Sequence, residues 1–160
     1  MFRIGIGSDI HRLVEGRPLV IGGVKIESDL GADGHSDADV LSHALCDAIL
    51  GALSLGDLGK HYPTDEERWR NAESFIFLRY VVGLMKEHGY RVVNVDSTVH
   101  LEKPKLRSYI DEMKKGIADV LEVETNCISV KAKTGEGVDA VGELHAVRAD
   151  AVVSLAKIEA

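Results

Sequence analysis

The sequence predicts an α/β chain, a layer sandwich of the α+β type in which a mixed sheet carries helices packed on one face. Three observations carry this expectation. Segments of period-two apolar alternation take turns with segments of helical periodicity, and glycine-rich or polar stretches punctuate them. The 160 residues, 45% of them apolar, suffice for one substantial core and predict a single domain over residues 1–160.

The elements follow in order. From Phe2 to Ile10, one strand face carries Phe2, Ile4, Ile6 and Ile10; the other carries Arg3, Gly5, Gly7, Asp9 and, one step on, His11. The isoleucine face is expected to meet the core. Asp9 and His11 would then share the opposite face, with space beside the two glycines. "PLVIGGVKI" reads as a hairpin whose Gly22-Gly23 pair supplies the positive φ of a tight turn. Ser36 is expected to open a helix, with Asp39 in a capping-box-like place three residues later. Val40, Leu41, Ala44, Leu45, Ala48, Ile49 and Leu53 form its buried side. Asp39, His43 and Asp47 stack at four-residue intervals along another side. Gly56 and Gly59 interrupt the pattern, and "HYPTDEER" reads as an exposed polar loop. A second helix fits residues 71–87, closed by Gly89 just past its end.

"YRVVNVDSTVHL" alternates as a strand, with Val93, Val95, Val99 and Leu101 on one side and Asn94, Asp96, Thr98 and His100 on the other. Pro104 is expected to start a third helix, where its missing N–H does no harm. Leu106, Ile110, Met113, Ile117, Val120 and Leu121 make that helix's apolar stripe. "CISVKAKT" is a further strand and "GEG" a loop. The alanine-rich tail over residues 144–158 suits helix or strand equally. No internal repeat, linker or low-complexity segment interrupts the chain.

Composition narrows the function. A formal charge of −7 argues against nucleic acid as a partner, because a phosphate backbone needs a basic surface. A phosphorylated small molecule remains compatible if metal ions or a few lysines offset the repulsion. Two cysteines, Cys46 and Cys127, suit a reducing compartment better than a disulfide framework. Arg79 interrupts "SFIFLRYVVGLM", so no membrane span is expected. The chain opens directly into a strand pattern without a targeting segment, which makes the cytoplasm the expected compartment.

The candidate chemistry centres on Asp9, His11 and a third histidine. Two imidazole nitrogens and one carboxylate oxygen form a ligand set that zinc accepts with its fourth position open. His35, in a glycine-rich run before the helix, and His43, on the helix between two acids, are both candidates for the third ligand. A ligating imidazole gives its other N–H to an acceptor, and an acid four residues away would favour His43. "ADGHSDADV" offers a helix start that suits either phosphate or an ordinary cap. Glu136 in "KTGEG" suits magnesium or plain solvation. Lys103, Lys105, Lys131 and Lys133 place positive charge near strand ends.

Several motifs occur together in one order: "GIGSDIHRL", "GHSDADVLSHALCDAILGAL" followed by "LGDLGKHYPTD", Pro104-Lys105, and "VKAKTGEG". From residue 2 to about 158 the sequence resembles the 2-C-methyl-D-erythritol 2,4-cyclodiphosphate synthase family of non-mevalonate isoprenoid biosynthesis. The resemblance implies that Asp9, His11 and His43 hold one zinc per subunit. His35 and Ser36 would contact the phosphate and erythritol part of the substrate, and Asp57, Gly59 and Asp65 would wall the methylerythritol. Pro104, Lys105, Leu106, Ala132 and Thr134 match the family's cytidine pocket. Glu136 matches the acid that holds magnesium or manganese on the diphosphate, and His35, Thr134 and Glu136 would stand at the reacting groups.

The implied substrate is a cytidine diphosphate-linked small molecule, 4-diphosphocytidyl-2-C-methyl-D-erythritol 2-phosphate, cyclised with release of CMP. The implied assembly is a homotrimer with its sites between subunits. Two places depart from the family's pattern. Lys133 stands where a threonine is usual, and Gly142-Glu143-Leu144-His145 replaces a Gly-x-Gly-Glu-like turn that lines the central cavity of the family's trimer. A metal-dependent phosphohydrolase and a non-catalytic cytidine-nucleotide-binding trimer are the rival readings.

Overall fold

The computed structural model describes residues 1–62 and 72–159. In chain order these form β1 (Phe2–Glu15), β2 (Leu19–Ile21), β3 (Val24–Ile26), β4 (Leu30–Ala32), α1 (Val40–Ala52), α2 (Leu58–His61) and α3 (Ser74–Glu87). Then come β5 (Tyr90–His100), α4 (Ile110–Leu121), β6 (Ile128–Lys133), α5 (Asp139–Gly142) and β7 (Ala146–Lys157). The mixed sheet has the order β4-β1-β7-β5-β6, antiparallel throughout except for the parallel β5–β6 pair, while β2 and β3 form a separate hairpin. That hairpin turns at Gly22 and Gly23 with φ of 58° and 75°, as the sequence predicts.

The tail that suited either helix or strand becomes β7, the central strand. It pairs with β1 over Arg12↔Ala146 to Phe2↔Ala156, and with β5 on its other edge. Pairing on both sides satisfies its backbone groups, which outweighs alanine's helical preference.

The face of β1 is the reverse of the expected one. Phe2, Ile4 and Ile6 are 73%, 75% and 72% exposed, whereas the glycine face lies under α1. A Cβ on Gly5 would sit 1.8 Å from the Ala48 carbonyl oxygen, and one on Gly7 would sit 1.9 Å from that of Ala44. Close contact between helix backbone and strand therefore sets the phase of the alternation. Helix α1 is itself buried on nearly all sides, with Leu41, Ala44, Leu45, Ala48 and Ile49 fully enclosed. Gly7→Ala should lower stability by about 3 kcal/mol, because two backbones would have to part. A urea titration monitored by circular dichroism checks this, and an unshifted midpoint would contradict the contact.

Two boundaries and one register also move. Helix α1 starts at Val40 rather than Ser36, since buried Asp39 is its N-cap. The Asp39 carboxylate accepts Gly22 N–H at 2.8 Å, Gly23 N–H at 2.7 Å, Ser42 N–H at 3.0 Å and the Ser42 hydroxyl at 2.7 Å, tying the hairpin turn to the helix. Pro104 precedes the third long helix instead of starting it: a 3₁₀ turn over Arg107–Tyr109 leads into α4, and Leu106 tucks into the core ahead of it. In β5 the register shifts between Val92 and Asn94, so Val92 takes the core position expected for Val93. Helix α3 runs from Ser74 to Glu87 and closes on Gly89 with φ of 75°, close to expectation.

Candidate active site

Strand β1 and the first turn of α1 bring three donor atoms together. Asp9 Oδ2 lies 2.9 Å from His11 Nε2 and 3.0 Å from His43 Nδ1, and those two nitrogens are 3.2 Å apart. Tetrahedral zinc with ligands at 2.0–2.1 Å has edges of roughly 3.3 Å, so this triangle needs only slight expansion to hold the ion. Gly7, two residues before Asp9, lets α1 approach closely enough to bring His43 to the strand.

The outward nitrogens of both rings have acceptors. His11 Nδ1 lies 2.9 Å from the Asp33 carbonyl oxygen, which can only accept, so the ring donates there and leaves Nε2 free for a metal. His43 Nε2 lies 2.8 Å from Ser74 Oγ and 3.3 Å from Ser36 Oγ. Ser74, the first residue of α3, also donates both its hydroxyl and its N–H to the Asp37 carboxylate. The helix acids expected to support His43 therefore serve other groups. Asp39 caps α1, and Asp47 accepts Leu58 N–H at 2.7 Å, anchoring α2. Asp39 sits outside the helix as its cap, and Asp47 lies against the start of α2, so neither reaches the His43 ring nitrogens. Sequence reasoning missed Asp37 and Ser74; a serine directly before the apolar run Phe75-Ile76-Phe77-Leu78 was the one available signal.

Charge in the cluster is strongly coupled. Burial on its own would raise the Asp9 pKa, but hydrogen bonds and positive charge from His11 and His43 hold it well below the ordinary range. Burial on its own would lower that of His11, yet the Asp9 carboxylate beside it raises the net value. A proton must leave His11 before Nε2 can accept a metal. Affinity for a divalent metal at this triangle should therefore weaken as pH falls through the raised pKa of His11, by up to about tenfold per pH unit for each proton displaced. Chelator competition across the acid range measures this, and a flat profile would remove His11 from the ligand set.

Around the triangle lies a cavity of about 250 Å³, walled by His35, Ser36, Leu58, Gly59, Tyr62 and Phe77. The Tyr62 and Phe77 rings, 4.6 Å apart between centroids, form an aromatic wall that the sequence did not announce. Asp57 is adjacent in sequence but its carboxylate caps α2, accepting Lys60 N–H at 2.9 Å. Asp65 lies outside the described residues.

A second cavity, about 490 Å³, opens between β6 and the turn before α4. Pro104, Lys105, Leu106, Ala132 and Thr134 all line it, together with Lys131 and Lys133. Thr134 Oγ1 donates to Glu136 Oε1 at 2.9 Å, which ties that acid to a residue of the cavity wall. Lys131 is paired with Asp96 at 2.6 Å across the parallel strands. The two cavities share no lining residue. Across the sheet, Asp9 is level with Ala149, Val99 and Ala132, so β7 and β5 lie between them, with Ala149 and Val99 fully buried.

Residues 2–156 match the YgbB family. The chain belongs to that family. A relative, the 2-C-methyl-D-erythritol 2,4-cyclodiphosphate synthase of Salinibacter ruber, is 52% identical over 153 residues, covering 96% of this chain and 98% of its own. The bifunctional IspDF from Campylobacter jejuni superposes with a TM-score of 0.95 at 36% identity, over 99% of this chain but only 43% of its own length. The CDP complex of IspF from Plasmodium falciparum gives a TM-score of 0.87 at 36% identity, over 99% of this chain and 97% of the other. The family match spans β1 through β7 and thus both cavities.

Proposed function

We propose that this YgbB-family chain, as one domain over residues 1–160, is a 2-C-methyl-D-erythritol 2,4-cyclodiphosphate synthase of non-mevalonate isoprenoid biosynthesis. The observation that carries the reading is the Asp9, His11, His43 donor triangle inside a walled cavity, in a chain matching proteins of that name along nearly its full length. The reaction is intramolecular phosphoryl transfer. An oxygen of the substrate's 2-phosphate forms a bond to the β-phosphorus. The bond from that phosphorus to the oxygen bridging the α-phosphate breaks, and its electron pair leaves with CMP. The attacking oxygen is already anionic, so the work falls on positioning and charge neutralisation rather than on a general base.

Each residue then has a task. Asp9, His11 and His43 would hold one zinc per subunit, and Glu136 would hold magnesium or manganese together with substrate. Bound there, these ions would supply positive charge that polarises phosphate oxygens and stabilises the leaving group. His35 and Ser36 would grip the 2-phosphate side, while Asp57, Gly59 and Asp65 surround the methylerythritol. Tyr62 and Phe77 would help exclude water from the transferring phosphorus, which suppresses hydrolysis. Pro104, Lys105, Leu106 and Ala132 would seat the cytidine. Thr134 would orient Glu136, and Lys133 adds charge on the diphosphate side.

The assembly we propose is a homotrimer with its sites between subunits. Two features favour it. The cavities are separated within one chain by filled core, so a substrate needing both is served across an interface. The outer face of the sheet also carries exposed Phe2, Ile4, Ile6, Ile10 and Val152, an apolar stripe suited to burial between copies. No described helix is long and apolar enough to cross a membrane. Together with the two free cysteines, this favours the cytoplasm.

Phosphorus NMR of the protein incubated with the diphosphocytidyl substrate, zinc and magnesium tests the reading. The cyclic diphosphate and CMP should appear in equal amounts. Release of inorganic phosphate instead would identify a phosphohydrolase, and bound but unchanged substrate would identify a binding protein.

A further inference from the structure

We infer that Asp37 and Ser74 form a positioning relay that locks the His43 ring with its proton on Nε2, keeping the Nδ1 lone pair aimed at the metal. The inference rests on the proposed zinc site and asks what makes it ready before any ion arrives. Ser74 is fully buried, and two side chains, Asp37 and His43, meet it through three contacts. Its hydroxyl donates to Asp37 Oδ1, its backbone N–H donates to Asp37 Oδ2 at 3.0 Å, and its Oγ faces His43 Nε2 at 2.8 Å. A carboxylate can only accept, so the single hydroxyl proton of Ser74 is committed to Asp37. Its oxygen can then only accept from His43, which places the imidazole proton on Nε2 and the lone pair on Nδ1. Nδ1 is the nitrogen that faces Asp9 and His11, 3.0 and 3.2 Å away.

Without this chain, the Asp9 carboxylate 3.0 Å from Nδ1 would draw the proton of a neutral His43 onto Nδ1, pointing a hydrogen at the metal position. The relay also links distant parts of the sequence. Asp37 donates its own N–H to the Ala72 carbonyl at 3.0 Å, so the start of α3 is fastened to the segment before α1 at both strands of this contact. Seating α3 correctly and orienting His43 are thus one event. His11 needs no such partner, because its acceptor is the backbone carbonyl of Asp33. Ser36 Oγ, at 3.3 Å, is the longer contact of His43 Nε2, and it also accepts Ala38 N–H at 3.2 Å.

The test uses the full chain, purified free of metal, with zinc as the probe. Zinc affinity is read by competition with a chromogenic chelator, and the His43 tautomer by long-range proton–nitrogen correlation on ¹⁵N-histidine protein. Ser74→Ala should weaken zinc binding about tenfold or more, as loss of an outer partner does elsewhere, and shift the metal-free His43 signal from the Nε2–H form toward the Nδ1–H form that Asp9 favours. Ser74→Thr, which keeps the hydroxyl, should restore both to within about threefold of wild type. Asp37→Asn, which preserves packing but removes the charge that commits the Ser74 proton, should weaken binding severalfold and shift the tautomer the same way. If wild type binds zinc through His43 while Ser74→Ala keeps both affinity and tautomer, the relay is wrong. If His43→Ala binds zinc as tightly as wild type, the proposed site itself fails, a separate outcome.

Discussion

His43→Ala is expected to fold normally, to bind far less than one zinc per chain, and to lose turnover by on the order of a thousandfold, about 4 kcal/mol of transition-state stabilisation. The side chain reaches from the first turn of α1 into the cavity, so its removal leaves the enclosed residues of the helix in place. The remaining donors, Asp9 and His11, are one short of the three protein ligands that a catalytic zinc site uses. Elemental analysis of the dialysed variant, with phosphorus NMR of its products, measures both losses. Full zinc occupancy in this variant would move the third ligand to His35, which lines the same cavity.

The second large effect is a recovery of activity. His43→Ala and Glu136→Gln should each be nearly inactive, the latter because a neutral amide holds magnesium poorly. Refolded together in equal amounts, they should regain about a quarter of wild-type activity. A cyclic trimer makes heterologous contacts, in which each interface joins two different patches. The metal triangle would come from one chain, and the β6 cavity with Glu136 from its neighbour. With random mixing, an intact pairing at a given interface then arises in roughly one case in four. The geometry motivates this: within one chain β7 and β5 stand between Asp9 and Ala132, and the core there is filled by Ala149 and Val99. If mixed trimers confirmed by native mass spectrometry stay as inactive as either parent, both halves of the site belong to one subunit.

Much of this protein is legible in its residues alone. Local patterns suffice for the hairpin at Gly22-Gly23, for most of α1, α3 and α4, and for β5 and β6, because apolar periodicity and glycine punctuation act over a few neighbouring residues. The donors Asp9 and His11 also announce themselves, since a period of two puts them on one strand face. Other features depend on what packs against what. Hydrophobicity points the isoleucines of β1 inward, yet the glycine face is the one α1 can approach at backbone distance, and that contact turns Asp9 and His11 toward His43. The alanine-rich tail becomes a strand only because β1 and β5 offer hydrogen-bonding edges on both sides of it. Asp39 and Asp47, equally spaced around His43, were the local candidates to support it, but Ser74, 31 residues further on, does so. A side chain's partner depends on where distant backbones come to rest, and that is decided by packing across the whole fold rather than by spacing along the chain.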